Sequence, residues 1–258
     1  MTSHFYISYA GNKRREMNEI EPFIDLKGIK TIVEPFCGSS AFSFHIYDKI
    51  NKDLKFHFND LDKDLISLLN EIKTNGKDNI YNNLIKYKDI NKEDYNKYSK
   101  ELKTNEIVED RLSKWLLINV YYCIRAGLFP INKPFPRLTS LKTEMKFDKL
   151  LDIAKVTNHD FRITCDKYKN DKTAFLFIDP PYVNSCNDFY SDSSCLDDVD
   201  KFYEYLIELL KTSKCKIMMV VNNALLMRLL FKDFIKHKYG KTYEATKRKV
   251  EHIIITNY

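Results

Sequence analysis

Long apolar runs are missing from this chain of 258 residues, which excludes a helix of membrane-spanning length. The opening residues Met1-Thr2-Ser3-His4 lack the basic-then-apolar order of a secretion signal, so a cytoplasmic setting is expected. Paired cysteines are missing too. Cys37, Cys123, Cys165, Cys186, Cys195 and Cys215 are scattered with no Cys-x-x-Cys, which argues for reduced thiols rather than a disulfide framework. The six histidines are equally dispersed, so no structural zinc site and no metal are expected. No internal repeat is visible. What remains is a chain 44% hydrophobic and 14% aromatic, long enough for one large domain or one domain with an insertion.

Charge is abundant and unevenly placed. Between Gly76 and Lys149 there are 15 Lys/Arg against 10 Asp/Glu, which carries +5 of the net +6. The segment Lys236 to Lys249 holds six Lys/Arg and one Glu, interleaved with Tyr239 and Tyr243. Basic residues mixed with aromatics suit a surface that tracks phosphates. A solvated lysine face explains the lysine count, but not its concentration in two segments.

The apolar patterning alternates between strand and helix. Thr31-Ile32-Val33 reads as a strand, followed by a small-residue turn and a helix from Ala41. Lys55 to Phe58 reads as a second strand, and Asp62 to Asn75 as a helix stopped by Asn75-Gly76. This opening suits a doubly wound α/β sheet. From 76 to 150 the chain is charged and helical in pattern, with Leu112, Trp115, Leu116, Val120 and Tyr121 on one face and prolines at 130, 134 and 136 breaking it. This stretch is read as an inserted, mainly helical domain between halves 1–75 and 151–258 of a single sheet domain. In the second half, strands are expected around Val156 up to Asp160-Phe161, at Ala174–Ile178, at Lys216–Val221 and at Glu251–Thr256, with a helix over Asp200–Lys211.

Four points fall at the carboxyl ends of expected strands, where open α/β sheets bind ligands. Gly38-Ser39-Ser40 lets backbone approach a ligand ahead of a helix. Asp60 ends the second strand, a place from which an acid holds ribose hydroxyls. Asp160-Phe161 pairs a hydrogen-bonding group with a ring. Asp179-Pro180-Pro181-Tyr182 follows the run Ala174–Ile178 and brings together a carboxylate, proline carbonyls without a competing N–H, and an aromatic face. That set fits a planar aminated ring, although taken alone the four residues fit a stiff turn equally well.

The order Tyr9-Ala10-Gly11-Asn12-Lys13, Val33-Glu34-Pro35-Phe36-Cys37-Gly38, Asn59-Asp60, Asp160-Phe161 and Asp179-Pro180-Pro181-Tyr182 resembles the Dam-type DNA adenine methyltransferases, in particular their phage and viral, alpha-group members. The resemblance spans residues 9 to 258. It implies a Rossmann-like, S-adenosylmethionine-dependent methyltransferase sheet with a helical target-recognition domain inserted at 76–150. By that likeness Tyr9, Lys13, Phe36, Gly38, Asp60, Asp160, Phe161 and Asp179 would contact S-adenosylmethionine, with Asp60 on the ribose and Asp160 and Phe161 on the adenine moiety. Asp179, Pro180, Pro181 and Tyr182 would be catalytic. They would hold a target adenine flipped out of double-stranded DNA while its amino group takes the methyl. Arg125, Lys133, Arg137, Lys247, Arg248 and Lys249 would contact DNA. A viral replication compartment or host cytoplasm and a partner restriction nuclease both fit such an enzyme.

The chain departs from relatives that read GATC. They carry an Asn/Gly-rich stretch ending in Phe-Asn-x-Pro-x-Gly, whereas residues 125–137 here keep an arginine, a glycine and a Pro-Phe pair without that pattern. Methylation at a cytosine carbon is excluded on other grounds, because it needs a thiolate, usually after a proline, and no cysteine here follows one. An RNA adenine methyltransferase and a DNA-binding relative that no longer reacts remain as alternatives.

Overall fold

The computed structural model describes residues 13–50, 53–87, 89–104, 107–121, 145–181, 199–243 and 248–258. Within them a seven-stranded sheet runs in the order β3-β2-β1-β4-β5-β7-β6. The strands are β1 (Thr31–Glu34), β2 (Lys55–Asn59), β3 (Ala154–Thr157), β4 (Ala174–Ile178), β5 (Lys216–Asn222), β6 (Ile235–Tyr243) and β7 (Arg248–Thr256). The first five are parallel, while β7 pairs antiparallel with β5 and β6 closes the edge as the other arm of a hairpin.

β4 shows why this sheet forms. All five of its residues are buried, as expected for a central parallel strand covered on both faces. Successive side chains enter opposite cores. Phe175 and Phe177 join one cluster with Ile32, Phe56, Phe58, Met218 and Ile254. Leu176 and Ile178 join the other with Val33, Ile217, Met219, Val221 and Ile253. On the first face Phe42, from the helix α2 (Ala41–His45) that follows the one-turn α1 (Met17–Ile20), stacks on Phe177 with centroids 3.9 Å apart and planes 4° apart. That contact fixes the turn between β1 and α2 over the β4 strand.

The chain runs from β1 outward to β2 and β3, then returns to β4 on the other side of β1. The gap between the carboxyl ends of β1 and β4 is therefore the topological switch point, where this sheet class leaves a crevice. Glu34 ends one of these strands and Asp179 follows the other.

The helix α3 (Lys63–Asn75) is one residue shorter at its start than the pattern suggests, because Asp62 caps it by accepting the N–H groups of Asp64 and Leu65 at 3.0 and 3.1 Å. Beyond it, α4 (Asp78–Ile85), α5 (Lys92–Glu101), α6 (Arg111–Leu116) and α7 (Met145–Ile153) fall in the stretch read as an insertion. Their apolar residues, Ile80, Tyr81, Leu84, Tyr95, Trp115, Leu116, Phe147 and Leu150 among them, share the core cluster of the first sheet face. A two-pronged ion pair ties the stretch down: Arg111 Nε donates to Asp64 Oδ1 at 2.6 Å and Nη2 to Oδ2 at 2.8 Å. Residues 122–144 lie outside the described residues.

Two elements differ from the sequence reading. β3 ends at Thr157, and Asp160 caps the next helix, α8 (Phe161–Tyr168), accepting the Arg162 N–H at 2.9 Å. An acid that can satisfy a free helical N–H ends a strand pattern early. The basic segment after 235 is the edge strand β6, whose burial alternates from Ile235 through His237 and Tyr239 to Lys241. Its lysine content hides the period-2 pattern and also keeps an open edge from pairing with another chain. The helices α9 (Val199–Thr212) and α10 (Leu225–Leu230) cover the second face.

Candidate active site

The turn after β1 is built to come close to whatever lies in the crevice. Gly38 has φ +46°, and Ser40 has φ +52°, a left-handed conformation uncommon for any residue but glycine. The strain is held in place by the end of β2. Asn59 O accepts the Cys37 N–H at 2.8 Å, and Asp60 Oδ2 accepts the Gly38 N–H at 2.9 Å.

Asn59 does more than its neighbour to assemble the rim, though the sequence reading gave it no role. It is fully buried. Its amide N–H groups reach Pro35 O at 3.0 Å and His159 O at 2.9 Å, while Oδ1 accepts from His159 N at 3.1 Å and Thr157 Oγ1 at 2.9 Å. One side chain thus joins the loops after β1, β2 and β3. The Thr157 hydroxyl gives its proton to Asn59, so it accepts from His57 Nε2 at 2.8 Å, and His57 Nδ1 in turn accepts from the Tyr168 hydroxyl at 3.1 Å. Burial and the neighbouring Lys155 and Lys167 push the His57 pKa down to about 4, which keeps it in the neutral form this chain of bonds requires.

The carboxyl groups around the crevice differ in character. Burial raises Asp60 to about 6 against the pull of the Gly38 and Asp62 N–H groups. Asp160 is held below the ordinary range by Arg162, whose Nε and Nη2 donate to it at 2.8 and 2.6 Å. Glu34, fully buried, is pushed up to about 8 by desolvation, with Asp179 and Asp60 adding to the rise; its Oε1 accepts the Ser43 N–H at 3.0 Å. Asp179 is raised by burial and drawn back by Lys13, whose Nζ lies 2.5 Å from Oδ2. Lys13 is itself only 3% exposed and the Asp179 side chain 20%, so the pair is largely withdrawn from water on the Lys13 side.

Of the ring pair, Phe161 is 2% exposed and stacks beneath Phe36, with centroids 4.8 Å apart and planes inclined by 30°. Phe202 and Tyr205 hem in its other sides at 5.2 and 5.4 Å. Phe36 is half-buried and is the ring of the two with surface to offer a ligand. The buried thiols Cys37, Cys165 and Cys215 all have raised pKa values, chiefly from desolvation, which leaves them poor nucleophiles.

The structure therefore brings Lys13, Gly38, Asp60, Asp160 and Asp179, with Phe36, to one rim. Pro180 is buried and Pro181 half-buried directly after Asp179. Tyr9, Tyr182, Arg125, Lys133, Arg137 and Lys247 lie outside the described residues. Arg248 opens β7, and Lys249 is exposed next to it, paired in register with Thr242 of β6. Among the described residues no cluster of three or more His, Cys, Asp or Glu could hold a metal ion, and no helix is long and apolar enough to cross a membrane.

A family model described as D12 class N6 adenine-specific DNA methyltransferase matches residues 9–248. The type II methyltransferase M.CviBI of Paramecium bursaria Chlorella virus NC1A is 24% identical over 270 aligned positions, covering 98% of each chain. Among solved structures, the delta-N METTL16 MTase domain is similar over 95% of this chain and 81% of its own, at 10% identity and a TM-score of 0.41. A SAM-dependent O-methyltransferase from Thermotoga maritima is similar over 94% and 64%, at 11% identity and a TM-score of 0.38. These structural likenesses are too loose to bear on substrate.

Proposed function

The chain belongs to the D12 class N6 adenine-specific DNA methyltransferase family, and on that premise we propose how its residues divide the work of methylating adenine in double-stranded DNA. The carrying observation is the position of Asp179. It follows the central strand at the switch point, desolvated and paired with Lys13, next to two prolines.

S-adenosylmethionine is the donor we propose, and the residues present suit it. Both Asp60 oxygens already accept backbone N–H groups, but a carboxylate has about four acceptor sites, so lone pairs remain for ribose hydroxyls. Phe36, backed by Phe161, offers a flat apolar face to an adenine moiety, and Asp160 stands beside it as an acceptor for the amino group. The tight turn at Gly38 is where we place the methionine end, with Lys13 and, by the family likeness, Tyr9 as its contacts. When bound, this group supplies an electrophilic methyl on a sulfonium.

The target adenine must leave the helix to reach Asp179, which lies at the sheet rim. In our reading Asp179 accepts one amino N–H and the Pro180 carbonyl the other, so that the nitrogen lone pair turns toward the methyl. Pro181 stiffens the turn, and Tyr182 stacks on the flipped ring. Lys13 fixes the orientation of the Asp179 carboxylate, and the preorganised dipoles, rather than a covalent intermediate, lower the barrier.

The placement of the Tyr9–Lys13 element ahead of the Glu34–Gly38 turn supports a Dam-like, alpha-group position within the family. Target recognition is assigned to 76–150, with Arg125, Lys133 and Arg137 on the DNA, and backbone contacts to Lys247, Arg248 and Lys249. We place its work in a reducing compartment, the cytoplasm or a viral replication site, as six scattered cysteines without a Cys-x-x-Cys pair suggest. If a restriction nuclease accompanies the enzyme, DNA methylated by this chain resists it.

The test is methyl incorporation from labelled S-adenosylmethionine into duplex DNA and into structured RNA of matched adenine content, with the modified base mapped. Label at adenine N6 in duplex DNA is expected. A preference for RNA, or no incorporation into either, overturns the reading.

A further inference from the structure

Behind the Lys13–Asp179 pair lies a second set of buried charged and polar groups that the chemistry above does not use. Its centre is Glu16, 3% exposed, in the short helical turn Arg14–Glu16. Oε2 accepts from the Tyr239 hydroxyl at 2.6 Å and from His252 Nδ1 at 2.7 Å, and Oε1 accepts from Lys241 Nζ. Tyr239 and Lys241 stand on the inward face of β6 and His252 on β7, so one carboxylate grips both arms of the edge hairpin. The Glu16 backbone N–H donates to Lys13 O at 2.9 Å, which links that grip to the residue holding Asp179.

Burial opposes ionisation of Glu16, yet the His252 hydrogen bond and the charges of Lys13 and Lys241 bring its pKa down to about 2. Lys241 is affected in turn by Glu16, Lys13 and Asp179, and Asp179 by Lys13, Glu16 and Lys241. Two ammonium groups and two carboxylates thus influence one another in a largely buried space, where their interactions are screened less than at the surface.

Resting on the assignment of Asp179 as the catalytic carboxylate, we propose that Glu16 is a positioning residue for methyl transfer: it retains Lys241 and the β6–β7 hairpin so that Lys13 keeps its place on Asp179. Without the Glu16 charge, Lys241 turns to Asp179 and competes with the adenine amino group for its oxygens. Without Lys241, Glu16 draws Lys13 away from Asp179. Either change alone misplaces the catalytic carboxylate, and removing both restores the balance. The hairpin also carries Arg248 and Lys249, so the same carboxylate joins the strand pair nearest the proposed backbone contacts to the reacting centre.

The experiment compares Glu16→Gln, Lys241→Met, the double variant and Asp179→Ala in single-turnover methylation of duplex DNA. Each single charge variant is expected to lose about tenfold or more in rate, with melting temperature near that of the parent and DNA affinity within about twofold of it. The double variant is expected to recover to within about threefold of the parent, and a loss of rate at unchanged melting temperature and DNA affinity in the single variants is the signature that a purely structural role does not produce. If Glu16→Gln fails to fold, Lys241→Met and the double variant carry the same test. Parent rates in both singles, additive losses in the double, or failure of all three to fold overturn the inference. If Asp179→Ala is inactive while the others keep the parent rate, this inference alone fails; an active Asp179→Ala removes the assignment on which it rests.

Discussion

Gly38 and Asp60 are 22 residues apart in sequence, and the backbone N–H of the first donates to Oδ2 of the second at 2.9 Å. The bond makes the nucleoside end of the crevice a joint property of β1 and β2. It aims the Asp60 carboxylate by using one of its lone pairs, and it fixes a turn whose next residues are already strained.

Asp60→Ala is therefore expected to weaken S-adenosylmethionine binding by roughly 1.5–3 kcal/mol, the worth of a hydrogen bond to a charged group, or about ten- to a hundredfold in Kd. Asn59→Ala is expected to weaken it in the same direction without touching the ligand, because the loops after β1 and β3 lose their common tie. Calorimetry on both variants decides the matter; parent affinity in Asp60→Ala would remove it from the ribose.

Asp179→Ala is expected to leave DNA affinity near that of the parent while the methylation rate falls by about 10²-fold or more, as for the loss of a preorganised polar contact in a transition state. Tyr182→Ala is expected to cost on the order of 1–3 kcal/mol in binding of the target strand through lost base stacking. Single-turnover rates and DNA titrations separate the two effects, and an unimpaired Asp179→Ala would rule out the amino-acceptor mechanism.

Glu34 predicts a pH effect with a definite sign. Its folded pKa, about 8, stands above its ordinary 4.5 because burial disfavours the anion. Stability from the protonated group is complete below about 4.5 and is lost as pH rises toward and through about 8. Glu34→Gln copies the neutral acid and keeps an oxygen for the Ser43 N–H. The variant is expected to match the parent near pH 5 and to melt higher near pH 8.5, by an amount on the order of a few kcal/mol. A thermal-melt series over that range checks it, and a constant offset at every pH would refute the assignment.

DNA affinity is expected to fall steeply with salt, by about 0.9 in log K per log unit of salt for each phosphate neutralised. Replacing Lys247, Arg248 and Lys249 together is expected to weaken all duplexes alike and flatten that slope, since phosphate contacts position without specifying. Arg125 or Arg137 variants are expected to relax sequence choice instead, through lost contacts to guanine edges. A hairpin triple variant with the parent salt slope would detach these residues from the backbone.

The legible parts of the fold were those with one dominant physical signal. The five-residue apolar run of β4 and the Leu65, Leu68, Leu69, Ile72 spacing of α3 announced a buried strand and a one-sided helix, and both are present. β6 was not legible, because its inward positions include His237, which stacks on Phe23, and Lys241, whose charge answers the buried Glu16 rather than an apolar core. Glu16 carried no sequence signal for the same reason, as its partners lie more than 220 residues away. The rim residues Asp60 and Asp179 could be read because each directly follows a strand, and Gly38 because it sits in the small-residue turn between β1 and α2. The place of Phe161 could not, since whether a ring next to a site faces the ligand or the core is settled by its neighbours Phe36 and Phe202.

The antiparallel insertion of β7 between β5 and β6 has a consequence for the order in which the molecule can come into being on the ribosome. A nascent chain that has emerged only as far as Tyr243 has no neighbour for β5 on that side and nothing for β6 to pair with, because both wait for the same strand. Glu16, made 236 residues earlier, waits as long for His252. The sheet therefore closes from the middle outward, and its edge locks only when one of the latest segments threads between two earlier ones. Until then the carboxylate of Asp179 stands beside an unfinished wall, so an ordered surround for it requires the chain to have been made through β7.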